Sequence, residues 1–282
     1  WAFKYITSKD RLTTPLIRRG YVAEVIDRVL KYLKNNRACP GVMHWPLMNV
    51  GGPVFQALVD MTRRDLLGMH VRDSYNRALL KPWHGPDTES ACQEYLLQSL
   101  GGHHFRELRR QRRRLHESGV LEYRTLENAA ELPVWIDWFL QLEASGWKGA
   151  DSTALASRPE TLQFAREMIA AGYEQGRVQM VGLFRNGQPI ALKLNLVSST
   201  GGFAYKITYS EEYAKLSPGV QLEIDYLKSF QHSGRSWMDS CAVADHSMIN
   251  RLWADRRTIQ DTLISTGRWT SDRSLLTEQN LE

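Results

Sequence analysis

Between Val178 and Tyr209, three runs of strand-forming residues are separated by turns too short for anything but antiparallel neighbours. Val178–Phe184 is closed by Asn186-Gly187, a dipeptide suited to a type I′ turn because both central residues need positive φ. Gln188–Val197 is closed by Thr200-Gly201-Gly202, and Phe203–Tyr209 follows with strict alternation. After a polar loop, Ser217-Pro218-Gly219 opens an amphipathic helix whose apolar face is Val220, Leu222, Ile224, Leu227 and Phe230. That helix stops near Gly234, a short strand covers Ser236–Asp239, and another helix begins around Ser247. A meander that feeds a loop and a helix N-terminus suits an anionic ligand, because unpaired N–H groups and the positive end of the helix dipole face the loop. A plain structural crossover has the same layout, so the pattern alone does not name a ligand.

The remaining chain reads as helices and strands around this frame. Val22, Val25, Ile26, Val29, Leu30 and Leu33 recur at helical spacing, Val42–Leu47 is a strand, and Gly51-Gly52-Pro53 starts a helix to about residue 66. A strand over roughly Gly68–Asp73 and a Pro- and Gly-containing loop lead to a helix at Glu89–Leu100. Gly101-Gly102 bends the chain into a second helix ending at Gly119, with Leu108 and Leu115 as its apolar contacts. Arg106, Arg109, Arg110, Arg112, Arg113 and Arg114 all lie on it, either as a solvated face or as a docking surface for a phosphate-bearing partner. Val120–Leu126 is a strand. Asn128 caps a helix that breaks at Ser145-Gly146, a polar loop runs to Ser157, and a helix over 159–175 ends at Gly176.

With 282 residues, 43% apolar and 24% charged, the chain is long enough and ordinary enough to bury a core. No apolar run approaches the roughly 20 residues that cross a bilayer. The opening Trp1-Ala2-Phe3-Lys4 does not form a signal peptide. Three scattered cysteines without metal spacing suit a reducing compartment, and a cytoplasmic location is expected. The net charge of +5 favours anionic partners in general: CoA phosphates, nucleic acid, an acidic carrier protein or anionic lipid. Gly51-Gly52-Pro53, Gly101-Gly102 and Ser157-Arg158-Pro159 lack the lysine or glycine spacing of a phosphate loop. No His, Asp or Glu cluster has metal spacing, so no metal is expected.

Five short words fall in a familiar order. They are Glu143-Ala144-Ser145-Gly146-Trp147-Lys148-Gly149, Gly187-Gln188-Pro189-Ile190-Ala191, Lys206 with Tyr209, Ser217-Pro218-Gly219, and Asp239-Ser240-Cys241-Ala242 followed by Asp245-His246. Over roughly residues 103–262 the chain resembles the acyl-CoA-binding core of the GNAT N-acyltransferase superfamily, in its CelD-like branch related to the FemAB transferases. The resemblance implies an α/β tandem GNAT-like fold, a mixed and mostly antiparallel sheet flanked by helices. A degenerate first unit would span residues 1–100 and the acyltransferase domain 101–282. It also implies acyl-CoA as co-substrate, held by Tyr209, Leu216, Ser217, Pro218, Gly219 and Val220, and an amine acceptor, either an amino sugar, an amino acid or a peptide side chain. Glu143, Trp147 and Lys148 would border the acceptor, with Lys193, Lys206 and Cys241 as further substrate contacts.

Transfer to an amine needs a base, an oxyanion partner and a leaving thiolate. Asp239 and His246, with Asp245 third, are the candidate bases. The plainer roles are a loop cap for Asp239, a surface or N-cap histidine for His246, and a structural thiol for Cys241. The oxyanion would meet a backbone N–H at the end of the Phe203–Tyr209 strand. The chain departs from the family in one respect. Many members carry a tyrosine in the last helix to protonate the thiolate, and none lies between Asp245 and Ile264, which leaves Tyr209 or an unassisted departure. Two alternatives stay open: an aminoacyl-tRNA or acyl-carrier-protein donor docked on the arginine helix over 106–114, and a catalytically silent GNAT-like scaffold. DNA and a membrane span are not expected.

Overall fold

A computed structural model describes residues 12–83, 85, 88–117, 119–146 and 154–267. They form two compact units. One holds the chain up to Arg77, Ala242–Ala244 and the chain from Arg256 onward, and the other holds Ala78–Cys241 with Asp245–Asp255.

In the first unit, α1 (Val22–Asn35) and α2 (Pro53–Arg64) flank β1 (Val42–Asn49), β8 (Asp255–Ser265) and the first part of β2 (Met69–Leu80). β1 and β8 run antiparallel from Val42↔Ser265 to Asn49↔Ile259, with the register slipping between Trp45 and Met48. Pro46 explains the slip, because it has no N–H for the ladder. Leu47, at positive φ, turns its own N–H to the Asp261 carboxylate at 2.6 Å. Ile26, Leu30, Met48, Val54, Phe55, Leu58 and Ile264 close the core. β2 runs on past Asp73 because its buried end, Ala78-Leu79-Leu80, lies beyond an exposed polar stretch that hides the strand in the sequence. The expected helix from Ser247 is only α7 (Ile249–Leu252), four residues long. It gives way to strand β8, whose Thr258, Ile259, Thr262 and Ile264 favour extended backbone.

The second unit carries the meander. β3 (Leu121–Thr125), β4 (Val178–Arg185), β5 (Gln188–Val197) and β6 (Gly201–Tyr209) pair antiparallel in that order. β7 (Trp237–Asp239) then adds parallel to β6, and Leu79 and Leu80 at the end of β2 pair antiparallel with its other edge. Asn186 and Gly187 have φ of 50° and 77°, as the type I′ turn requires. On one face, α4 (Leu132–Ser145) and α5 (Pro159–Glu174) bury Trp135, Ile136, Phe139, Ala165 and Ile169 against Met180, Phe184, Leu192 and Leu194. Alternation sends Lys193 to the opposite face, where α6 (Pro218–Gln231) buries Leu222, Tyr226, Leu227 and Phe230. Asn128 caps a 3₁₀ turn, Ala129–Glu131, rather than the helix itself, accepting from Ala130 N–H at 3.0 Å. α3 (Glu89–Glu117) bends at Gly101, as its Gly-Gly pair predicts. Among the described residues no helix is long and apolar enough to cross a membrane.

Two glycines let β7 close on β6. A Cβ on Gly201 would lie 2.1 Å from the Trp237 ring, and one on Gly202 would lie 2.9 Å from both the Leu196 carbonyl and the Met238 side chain. Trp237 also packs edge-on against Phe203, with ring centres 5.3 Å apart. Gly201→Ala is therefore expected to destabilise the protein by about 1–3 kcal/mol, the usual cost of overpacking. Urea unfolding monitored by tryptophan fluorescence measures it, and an unchanged midpoint would contradict this packing.

Candidate active site

The site is a fork in the sheet. β6 and β7 are paired only at Gly201↔Trp237, Gly202↔Met238 and Phe203↔Asp239. β7 ends there, while β6 continues to Tyr209. The turn after Asp239 carries Ser240 to the other side, where its N–H donates to the Ala78 carbonyl at 3.1 Å. The later part of β6 therefore keeps β5 on one edge and opens on the other. Ser210 N–H donates to the Ile190 carbonyl at 2.9 Å, so the strand's alternation points Tyr209 N–H to the open edge.

A bulge sits just beyond the vertex. The β5–β6 register passes from Leu194↔Lys206 to Asn195↔Ala204, leaving Tyr205 as the extra residue. This corrects the simple alternation of the sequence, in which Lys206 shares a face with Ala204 and lies opposite Phe203. Lys206 pairs with Leu194 and Phe203 with Leu196, which lie on the same face of β5, while Ala204 pairs with Asn195 on the other. Lys206 therefore points to α4, where it forms an ion pair with the buried Glu143. The second Glu143 oxygen accepts Leu155 N–H at 2.9 Å, tying down the chain that re-enters after the α4–α5 loop. Glu143 and Lys206, expected from the sequence as separate substrate contacts, meet each other in the structure.

Lys193 enters the opposite face. Its ammonium lies 2.7 Å and 2.8 Å from the two Glu223 oxygens, and both side chains are buried, with 1% and 3% exposure. Tyr226 and Trp253 turn ring faces to the same ammonium, 4.0 Å and 5.0 Å from their centres. Burial pushes the Lys193 pKa down and the Glu223 carboxylate pulls it back up. Both Glu223 oxygens and two ring faces engage the ammonium, so Lys193 ties β5 to α6. Its partner went unforeseen. The available signal was Glu223 itself, a carboxylate within the 223, 226, 227, 230 stripe that α6 buries.

α6 begins at the mouth of the fork. Ser217 is left-handed, with φ 51° and ψ 51°, and reverses the chain out of a 3₁₀ turn (Glu211–Leu216). Pro218 has no N–H, and the first helical bond runs from Gln221 N–H to the Ser217 carbonyl at 3.0 Å. The N–H groups of Gly219 and Val220 thus have no partner within the helix and stand at the positive end of its dipole. A Cβ on Gly219 would touch the Tyr209 ring at 3.4 Å and Ile207 at 3.7 Å, which places this turn directly against the end of β6. Burial, and then the Glu211 carboxylate, raise the Tyr209 phenol above its ordinary pKa, so it is protonated and able to donate. A small recess beside it is lined by Leu142, Glu143, Gly146 and Ile207–Tyr209.

Asp239 ends β7 at the vertex, fully buried, and accepts Cys241 N–H at 2.8 Å. Cys241 is half-buried and left-handed, with φ 53°. Asp245 and His246 lie on an exposed stretch before α7. The His246 carbonyl accepts Asn250 N–H at 3.1 Å, and its ring nitrogen faces Ile249 N–H at 3.5 Å, a capping geometry. The structure thus gathers Tyr209, Leu216–Val220, Lys206, Glu143 and Asp239 along the fork and its walls. It sets Lys193 behind them and leaves Asp245 and His246 at the surface. Trp147 and Lys148 lie outside the described residues.

The family model described as an acetyltransferase (GNAT) domain matches residues 102–246, just over half of the chain. No curated protein matches. Among solved structures, the C-terminal domain of a putative lysylphosphatidylglycerol synthetase from Agrobacterium fabrum is similar with a TM-score of 0.54 at 12% identity, covering 91% of this chain and 78% of that one. A conserved protein of unknown function from Bacteroides thetaiotaomicron VPI-5482 has a TM-score of 0.53 at 10% identity, with 85% and 75% covered. FemX has a TM-score of 0.51 at 9% identity, with 86% and 77% covered. At these identities the likeness is one of fold.

Removing one member of the buried pair leaves the other uncompensated. Lys193→Met is expected to cost about 3–5 kcal/mol, and the double variant Lys193→Met/Glu223→Leu to recover most of it. Chemical denaturation of the two variants measures the difference, and a double variant no more stable than the single one would contradict the pairing.

Proposed function

The chain belongs to the GNAT acetyltransferase family, and we propose that it is an N-acyltransferase moving an acyl group from acyl-CoA to an amine acceptor. Acyl transfer is the chemistry of the family; the CoA donor and the acceptor class, an amino sugar, amino acid or peptide side chain, are our reading. The observation that carries it is the fork: an open β6 edge that leads from the vertex at Asp239 to a helix N-terminus at Ser217–Val220. In this reading the N–H groups of Gly219 and Val220, together with the α6 dipole, hold the donor pyrophosphate. The pantetheine arm pairs with the open β6 edge as a strand would, and the thioester reaches the bulge.

The chemistry then follows from the groups present. Asp239 accepts the amine proton, directly or through water, as the nitrogen attacks the thioester carbonyl. Backbone N–H groups on the open β6 edge receive the developing oxyanion. As the C–S bond breaks, the thiolate leaves unassisted and takes its proton from water, because Tyr209 lies beside the pyrophosphate turn at the far end of the arm. The products are the amide and free CoA. Lys206, with one side partly open, and Glu143 border the acceptor. Cys39, Cys92 and Cys241, none of them in a disulfide, suit a reducing, cytoplasmic setting.

A second reading is favoured by the second half of α3, where Arg106, Arg109 and Arg113 are exposed and no acidic partner meets them among the described residues. In it the donor is an aminoacyl-tRNA, as in the FemAB transferases that the sequence resembles, or an acidic acyl carrier protein. Binding of tRNA to such a face would fall steeply as salt rises.

Calorimetric titration with acyl-CoAs from acetyl to long-chain tests the first reading. Saturable binding is expected, abolished by Gly219→Phe, whose ring has no room beside Tyr209; unchanged affinity in that variant removes the α6 site. Asp239→Asn is expected to lower kcat by about 10²-fold or more with little effect on donor binding.

A further inference from the structure

The two halves of α3 diverge at Gly101, whose φ of 73° and ψ of 157° suit glycine almost alone. The cleft they form is closed by α6 and encloses about 310 Å³, at the lower end of the roughly 300–1,000 Å³ typical of small-ligand pockets. Its floor is apolar, made by Leu96, Phe105, Leu108 and Ile224. Its charges do not cancel. Lys228 is paired with Glu89 and Arg112 with Asp225, each at 2.7 Å. That leaves Arg109 and Arg113 on the rim, both exposed and with no acidic partner among the described residues. The Arg109 guanidinium lies 5.8 Å from the centre of the Phe105 ring, so a flat cation and a flat ring stand at the same entrance.

The position of the cleft matters as much as its lining. Gln221, in the first turn of α6, lines it and donates to the Leu108 carbonyl at 3.0 Å. Gln221 lies three positions beyond Pro218, about 4.5 Å along a helix axis. The cleft therefore opens beside the turn assigned to the donor pyrophosphate. A ligand that fills it must have an aromatic or apolar body and a strongly anionic group a short distance away. A plain acyl chain would leave the two guanidiniums unused. An RNA backbone would track the outer side of the helix rather than enter a cleft closed by α6.

We propose that this cleft seats the adenosine 3′-phosphate end of the CoA donor, with the nucleoside against Phe105 and the apolar floor and the 3′-phosphate on Arg109 and Arg113. The assignment rests on the acyl-CoA reading and extends it to a part of the donor that takes no part in the chemistry. Guanidinium forks suit a phosphate dianion because each can donate two parallel hydrogen bonds. The recognition comes from α3, a helix that precedes the β3–β6 meander in the chain.

The test compares CoA with 3′-dephospho-CoA by calorimetry, on the full chain and on Arg109→Ala/Arg113→Ala, whose two positions are exposed and outside the core. The native protein is expected to bind CoA about tenfold or more tighter than 3′-dephospho-CoA. The double variant should lose that preference by weakening toward CoA alone. Equal binding of the two ligands by the native protein overturns this proposal and leaves the donor reading standing, as does a preference that survives in the double variant. Binding of neither ligand by the native protein overturns both.

Discussion

A buried ion pair holds the working parts of this protein in register. Lys193 and Glu223 meet where neither can reach water, one on the central strand β5 and the other on α6. Such a pair gives little net stability over well-packed apolar residues, because desolvation offsets the attraction. What it does supply is discrimination. A one-residue slip of β5 would turn Lys193 to the opposite face and strand both charges in the interior. The pair thereby fixes which face of the sheet α6 covers, and with it the position of the α6 N-terminus against Tyr209.

The fork depends on that placement and on three local devices. Gly201 and Gly202 allow β7 to close on β6 at one end. The early end of β7 at Asp239 opens the other. The Tyr205 bulge re-aims the strand between them, so that Lys206 turns to Glu143 on the α4 side while Lys193 holds the α6 side. One strand pair thus carries a lysine to each face, each matched by a carboxylate from a different helix. Asp239, the group proposed as base, lies at the vertex, and Tyr209 lies at the mouth beside the first turn of α6.

Much of this frame was legible in the chain. The Asn186-Gly187 turn, the Ser217-Pro218 helix start and the Gly101-Gly102 bend are local signals, and local physics alone decides them. The bulge was not legible, because it depends on how β6 registers against β5 and no residue at 203–206 announces it. Nor was β8. Thr258, Ile259, Thr262 and Ile264 favour a strand, but a helix start at Ser247 and a family likeness both pointed to a helix. In the candidate site, the spacing of Glu143, Lys206, Tyr209 and Ser217–Val220 found the right neighbourhood. That Glu143 and Lys206 neutralise one another is a tertiary fact, as is the burial of Lys193. Arg109 and Arg113 stood out in the sequence only as members of a basic run. What distinguishes them is that the other charges lining their cleft are already paired.

The central claim is that the open edge of β6 and the first turn of α6 together receive the donor. Amide hydrogen exchange with and without acetyl-CoA tests it most directly, because it reports on the backbone groups themselves. The account predicts slowed exchange at Tyr209, Gly219 and Val220, with β3 and β4 unchanged. Saturation with acetyl-CoA that leaves all three amides exchanging as before would contradict it.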